Sequence, residues 1–139
     1  MADRWTHRAC FDFFGVIPKN LRWSWSGRSL DGRTVAVTFW KDEFENGGKV
    51  YRSDPSRKKG KWVGSTAHKE FIENLIWSRD HCNGELHIIV ATAKDVTADP
   101  RAIKECYPQK RLKMRLAYLD EKTGDFVAER IDNNETLGA

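Results

Sequence analysis

Hydrophobic and polar positions along this chain follow two rhythms. Val35, Val37 and Phe39 alternate with Ala36, Thr38 and Trp40, the two-residue period of a strand. Both sets are apolar or bulky, so residues 34–40 read as a strand partly covered on both faces. Ala67, Phe71, Ile72, Leu75, Ile76 and Cys82 recur instead at helical spacing, which predicts a helix over 66–82. Ser65 or Thr66 caps it and Asn83-Gly84 stops it. Trp77 falls on the opposite face, where either the N-terminal arm covers it or a partner does. The run ELHIIVATA (Glu85–Ala93) is apolar on both faces and reads as a central strand. Leu112, Met114, Leu116 and Tyr118 alternate with Lys113, Arg115 and Ala117 in a half-exposed strand, and DEKTGD turns it into a partner at Phe126–Ile131.

Weaker signals fill the gaps. Asp3 can cap a short helix over 3–14, with Trp5, Ala9 and Phe13 in period and Gly15 and Pro18 ending it. Asp31-Gly32 marks a tight turn. Residues 43–64 are punctuated by Gly47-Gly48, Pro55 and Gly60 and read as a mobile basic loop holding one short edge strand at Val50-Tyr51. Residues 94–108 read as a connection with one helical turn begun at Pro100, and 132–139 as a frayed tail. The sum is one α+β domain over 1–139, with residues 1–20 as an N-terminal arm. Its sheet is expected to be mostly antiparallel, curled or open-barrelled, with one main helix packed on it.

Composition narrows the class. With 40% hydrophobic and 32% charged residues in 139, the chain has a globular balance rather than a disordered one. No apolar run approaches the ~18 residues of a membrane span. The N-terminus lacks the basic start and long apolar stretch of a secretory signal. Cys10, Cys82 and Cys106 form no CxxC pair and read as reduced, buried thiols. The expectation is a cytoplasmic protein without a membrane partner. His7, His68, His81 and His87 lack a metal-binding spacing. GxSxG, GxGxxG and phosphate-loop motifs are absent, so no cofactor or metal is expected.

Charge changes the picture through its placement. The net charge is +4, but Lys49, Arg52, Arg57, Lys58, Lys59, Lys61 and Lys69 crowd one stretch. Arg101, Lys104, Lys110, Arg111, Lys113 and Arg115 form a second cluster, and the C-terminal segment is acidic. Segregation of this kind makes a local field stronger than the net charge implies. Tyr51, Arg52, Arg57, Lys58, Lys59, Lys61 and Trp62 interleave cations with flat rings, the pair of functions that a nucleic acid needs for its phosphates and bases. The competing reading is a solvated loop anchored by Trp62. Strand alternation over 22–28 would set Trp23 and Trp25 side by side. With Trp40 they make either a pocket for a flipped base or methylated cation or a corner of the core. Arg22 and Arg28 flank that stretch, and Lys113 and Arg115 share one strand face.

The succession of Trp25, Gly27, Arg28, the Gly32–Trp40 strand and the Ile88–Pro100 strand and turn resembles the PUA-like superfamily, in particular its EVE, YTH and ASCH branches. The resemblance covers roughly residues 22–131. The basic insertion around Lys58 and the helix near Phe71 depart from the compact members. The resemblance implies a small β-barrel module that reads DNA or RNA without catalysis, often holding a modified base in an aromatic pocket.

The leading expectation is a non-catalytic nucleic-acid-binding module using Trp23, Trp25, Trp40 or Trp62 for an unpaired or modified base and the cations above for phosphates. Two alternatives stand beside it. Asp120-Glu121-Lys122, with Asp95 or Asp99, mimics half of a magnesium-dependent nuclease site, although DEKTGD also spells a hairpin turn. Trp77 and the acidic tail would suit a protein-interaction or oligomerisation domain.

Overall fold

A computed structural model describes residues 5–20, 23–53, 64–98 and 101–131. Helix α1 (His7–Phe14) starts one turn later than predicted. The residue that caps it is Thr6, whose side chain accepts from the Ala9 amide, and Gly15 ends it at φ 69°. The strands are β1 (Ser26–Arg28), β2 (Val35–Trp40), β3 (Phe44–Glu45), β4 (Val50–Arg52), β5 (Glu85–Ala93), β6 (Ile103–Leu119) and β7 (Phe126–Ile131), with helix α2 (Thr66–His81) between β4 and β5. No described helix is long and apolar enough to cross a membrane.

All seven strands form one sheet, ordered β1-β2-β5-β6-β7-β4-β3. The expected mostly antiparallel sheet is corrected to a mixed one, because β2 and β5 pair in parallel. The chain leaves β2 and crosses over through α2 before it enters β5, so both strands run the same way. The sheet curls without closing, since β1 and β3 remain as its two edges. Phe44 of β3 comes within 6.0 Å of Phe39 of β2, ring to ring, and Tyr51 of β4 stacks on Phe39 at 3.8 Å. Strands distant in sheet order therefore meet across an inner face.

That inner face carries the larger core. Val35, Val37, Phe39, Leu86, Ile88, Met114, Phe126 and Ala128 pack there with Phe71 and Leu75 of α2. Full burial of side chains of this size contributes roughly 1.5–3 kcal/mol each. The outer face joins Ala36, Ile89, Ala91 and Cys106 to Cys10 and Phe11 of α1.

Two further expectations change. Residues from Ile103 onward, assigned to a connection, belong to the seventeen-residue β6. Pro108 is tolerated within it because it sits where the β5–β6 register shifts and before β7 pairing begins at Lys113. The helical turn predicted from Pro100 lies partly outside the described residues, and Arg101 and Ala102 are not helical. Strand β4, expected at an edge, is flanked by β7 and β3.

Helix α2 buries a polar seam beside its apolar face. Glu70 accepts from the Ser24 hydroxyl at 2.6 Å and the Lys19 amide at 2.8 Å. Asn74 donates to Ser26 Oγ at 2.8 Å, and Ser78 donates to the Glu85 carbonyl at 2.6 Å. These residues recur every four positions, so one stripe of the helix ties the segment before β2 and the start of β5 to the core.

Candidate functional site

Beyond the packed core the inner face opens. Val90 pairs with Tyr107 and Thr92 with Glu105 across β5 and β6, so all four side chains share that face. They floor a groove of about 680 Å³. Between the pairs His87–Lys113 and Ile89–Pro108 the register slips. Residues on either side of such a bulge change face. Gln109, Arg111 and Leu112 consequently all line the groove, while Lys113, opposite His87, points to the outer face. Phe44, Gly47 and Gly48 form the facing wall, and Lys41 and Arg130 complete the rim. Gly47 and Gly48 have φ of 66° and 91°, and nothing lies within 4 Å of where a Cβ would stand. At these two glycines the wall is bare backbone.

The groove holds Lys41, Arg111 and Arg130 against one carboxylate, Glu105. None of the three cations makes an ion pair among the described residues. Tyr107 is 42% exposed, and its hydroxyl donates to Glu105 Oε1 at 3.1 Å. Chemically this is a positive concave surface with one accessible aromatic ring and one carboxylate.

A clamp fixes the Lys41 end. Arg101 donates twice to Asp42, at 2.7 and 2.9 Å, lies 3.5 Å from Glu43 and places its guanidinium 5.1 Å from the Trp40 ring centre. The Tyr51 hydroxyl donates to Glu43 at 3.0 Å and accepts from the Trp40 amide at 3.1 Å. Burial pushes the Tyr51 phenol well above its ordinary range, and the Glu43 charge adds to this, so the hydroxyl remains a donor.

The predicted residues scatter. Trp25 and Trp40 meet at 4.9 Å, half-buried, and Trp40 packs against the outer-face core. The groove is on the other side of the sheet. His7 stands 5.7 Å from Trp25 and bonds Thr38 Oγ1 at 2.7 Å, and burial lowers its pKa to about 4. Trp23 lies in a turn rather than a strand, because regular pairing begins only at Ser26, so alternation does not set it beside Trp25. Tyr51, expected to face a ligand, is a core residue instead, 5% exposed. Arg28 covers Trp77 at 4.3 Å, and the Trp77 indole donates to the Gly32 carbonyl at 2.7 Å. Among the described residues the turn at Gly32, rather than the N-terminal arm, covers Trp77. Arg52 pairs with Glu45 at 2.9 Å. Lys113 and Arg115 both reach Glu85, at 3.3 and 3.6 Å. Arg22, Arg57, Lys58, Lys59, Lys61 and Trp62 lie outside the described residues, as do Asp132 and Glu135 of the acidic C-terminal segment.

The candidate nuclease residues serve turns. Asp120 accepts from the amides of Lys122 and Thr123, which lowers its pKa. Asp95 accepts from Thr97 at the far end of β6, and Asp99 lies outside the described residues. Among the described residues no group of three His, Cys, Asp or Glu side chains could hold a metal ion.

Lys41, Tyr107, Gln109 and Arg130 were not anticipated from the sequence as site residues, and Arg111 appeared only as part of a charge cluster. Had 103–111 been read as a strand, the i, i+2 series Glu105, Tyr107, Gln109, Arg111 would have been the signal. No family model matches the chain, and neither a curated relative nor a solved structure matches it.

Proposed function

We propose that this domain binds single-stranded nucleic acid without catalysis, in the groove on the inner face of its curled sheet. The observation that carries the reading is the exposed Tyr107 ring set among Lys41, Arg111 and Arg130 on one concave surface. Single strands are held by cations that track the backbone and rings on which bases stack, with stacking worth roughly 1–3 kcal/mol per base. The expectation of a nucleic-acid module is kept, and its seat moves from the tryptophans to this groove. A duplex has no free base face to offer Tyr107. Kinship with the PUA-like readers is part of the proposal, and an open, curled sheet with a cleft on its inner face supports it. A cytoplasmic setting is part of it as well, in keeping with three unpaired thiols.

Fluorescence anisotropy with labelled single-stranded and hairpin oligonucleotides tests it. Single strands should bind more tightly. Three phosphate contacts give a slope of log K against log salt of about −2. Equal affinity for duplex and single strand, or binding indifferent to salt, would rule the reading out.

A further inference from the structure

The carboxylate in this groove calls for its own explanation. Glu105 faces three cations without pairing with any of them, and its only hydrogen bond among the described residues is the one that Oε1 accepts from Tyr107. A negative group on the floor of an anion-binding groove repels phosphate. It would push the backbone of a bound strand toward Lys41, Arg111 and Arg130 and leave the bases over the floor. An ionised carboxylate can only accept hydrogen bonds, so it discriminates among base edges by their donors.

We infer that Glu105 selects guanine as the base stacked on Tyr107. The inference rests on the single-strand reading above. Guanine alone presents two adjacent N–H donors, N1–H and N2–H₂, on its Watson–Crick edge, and two donors side by side match the two oxygens of a carboxylate. Adenine and cytosine each present one amino group beside a ring-nitrogen acceptor, which repels the second carboxylate oxygen. Uracil and thymine present one N–H between two carbonyls, which repel both. Tyr107 and Glu105 lie two apart on one strand face, joined at 3.1 Å. The ring that would hold the base and the group that would read its edge are thus fixed to each other.

The experiment measures anisotropy of uridine decamers carrying one central guanosine, adenosine, cytidine or uridine; a single guanine per strand avoids quadruplexes. The guanosine strand should bind at least tenfold more tightly than the other three, within the range that a bidentate base contact provides. Glu105→Gln should abolish that preference. Glutamine keeps an acceptor for the Tyr107 hydroxyl, so the variant's thermal unfolding should match the wild type. Equal, salt-sensitive binding of all four strands would overturn guanine selection and leave the single-strand reading standing. A guanine preference that survives in Glu105→Gln would overturn the assignment to Glu105. An absence of binding to every strand at low salt would overturn both readings.

Discussion

Arg101 grips Asp42 through two parallel hydrogen bonds of 2.7 and 2.9 Å, although 59 positions separate them in the chain. The pair joins the segment leading into β6 to the turn leaving β2. Lys41 precedes Asp42, and Glu105 and Tyr107 lie shortly after Arg101, so this contact sets the two sides of the groove against each other. The Arg101 side chain is 7% exposed and that of Asp42 39%, so the pair is neither fully buried nor a free surface bridge. Arg101→Ala should destabilise the fold by about 2 kcal/mol in denaturant titrations. Arg101→Lys should recover less than half of that, because lysine lacks the planar fork and stacks poorly on Trp40.

The polar seam on α2 makes a second prediction. Glu70→Ala leaves the buried Ser24 hydroxyl and Lys19 amide without their acceptor, a cost of about 2 kcal/mol or more. Glu70→Gln retains one acceptor oxygen and should cost about half as much. Urea midpoints of the two variants decide it, and equal stability of Glu70→Ala and wild type would show that the seam is not structural.

Stability should fall in mild acid. Burial holds the His7 pKa at about 4 against an ordinary 6.5. The unfolded chain therefore takes up the proton first, and acid favours unfolding. The contribution of His7 is fully present above pH 6.5 and is lost as the pH falls toward 4, by about 3 kcal/mol at the acid limit. His68 and His87, also lowered by burial, act in the same direction. Unfolding free energies measured between pH 7 and 4 should decline, and less steeply in His7→Phe.

Gly32 is required twice over. Its φ is +72°, and a Cβ there would lie 2.8 Å from Cζ2 of Trp77. An indole ring packed under Arg28 cannot retreat as a flexible chain end would. Gly32→Ala should therefore cost about 2 kcal/mol or more and alter tryptophan emission, which a thermal melt followed by fluorescence would detect.

The strand at 35–40, the helix from Thr66, the central strand at 85–93 and the final hairpin were legible because each has a clean period over enough residues. The seam on α2 was not, because Glu70, Asn74 and Ser78 look like a solvated face until Ser24 and Ser26 come within reach. The parallel pairing of β2 with β5 depends on where the chain returns after α2, which no local pattern encodes. The first half of β6 was hidden by Pro108, whose usual meaning is a break. The groove residues from Glu105 to Arg111 were hidden with it. The tryptophans dominate the sequence because they are large and numerous, yet the rings of Trp25, Trp40 and Trp77 pack on neighbours in the chain.

The two faces of β6 offer the most direct test. Arg111 lines the groove, and Lys113, two residues on but past the register shift, faces the other side beside Glu85. Anisotropy titrations of wild type, Arg111→Glu and Lys113→Glu against one labelled single-stranded oligonucleotide compare them under identical salt. Arg111→Glu should weaken binding by at least tenfold and flatten the salt dependence, while Lys113→Glu should bind within about twofold of wild type. Equal weakening by both, or loss in Lys113→Glu alone, would contradict a seat for the ligand on the inner face.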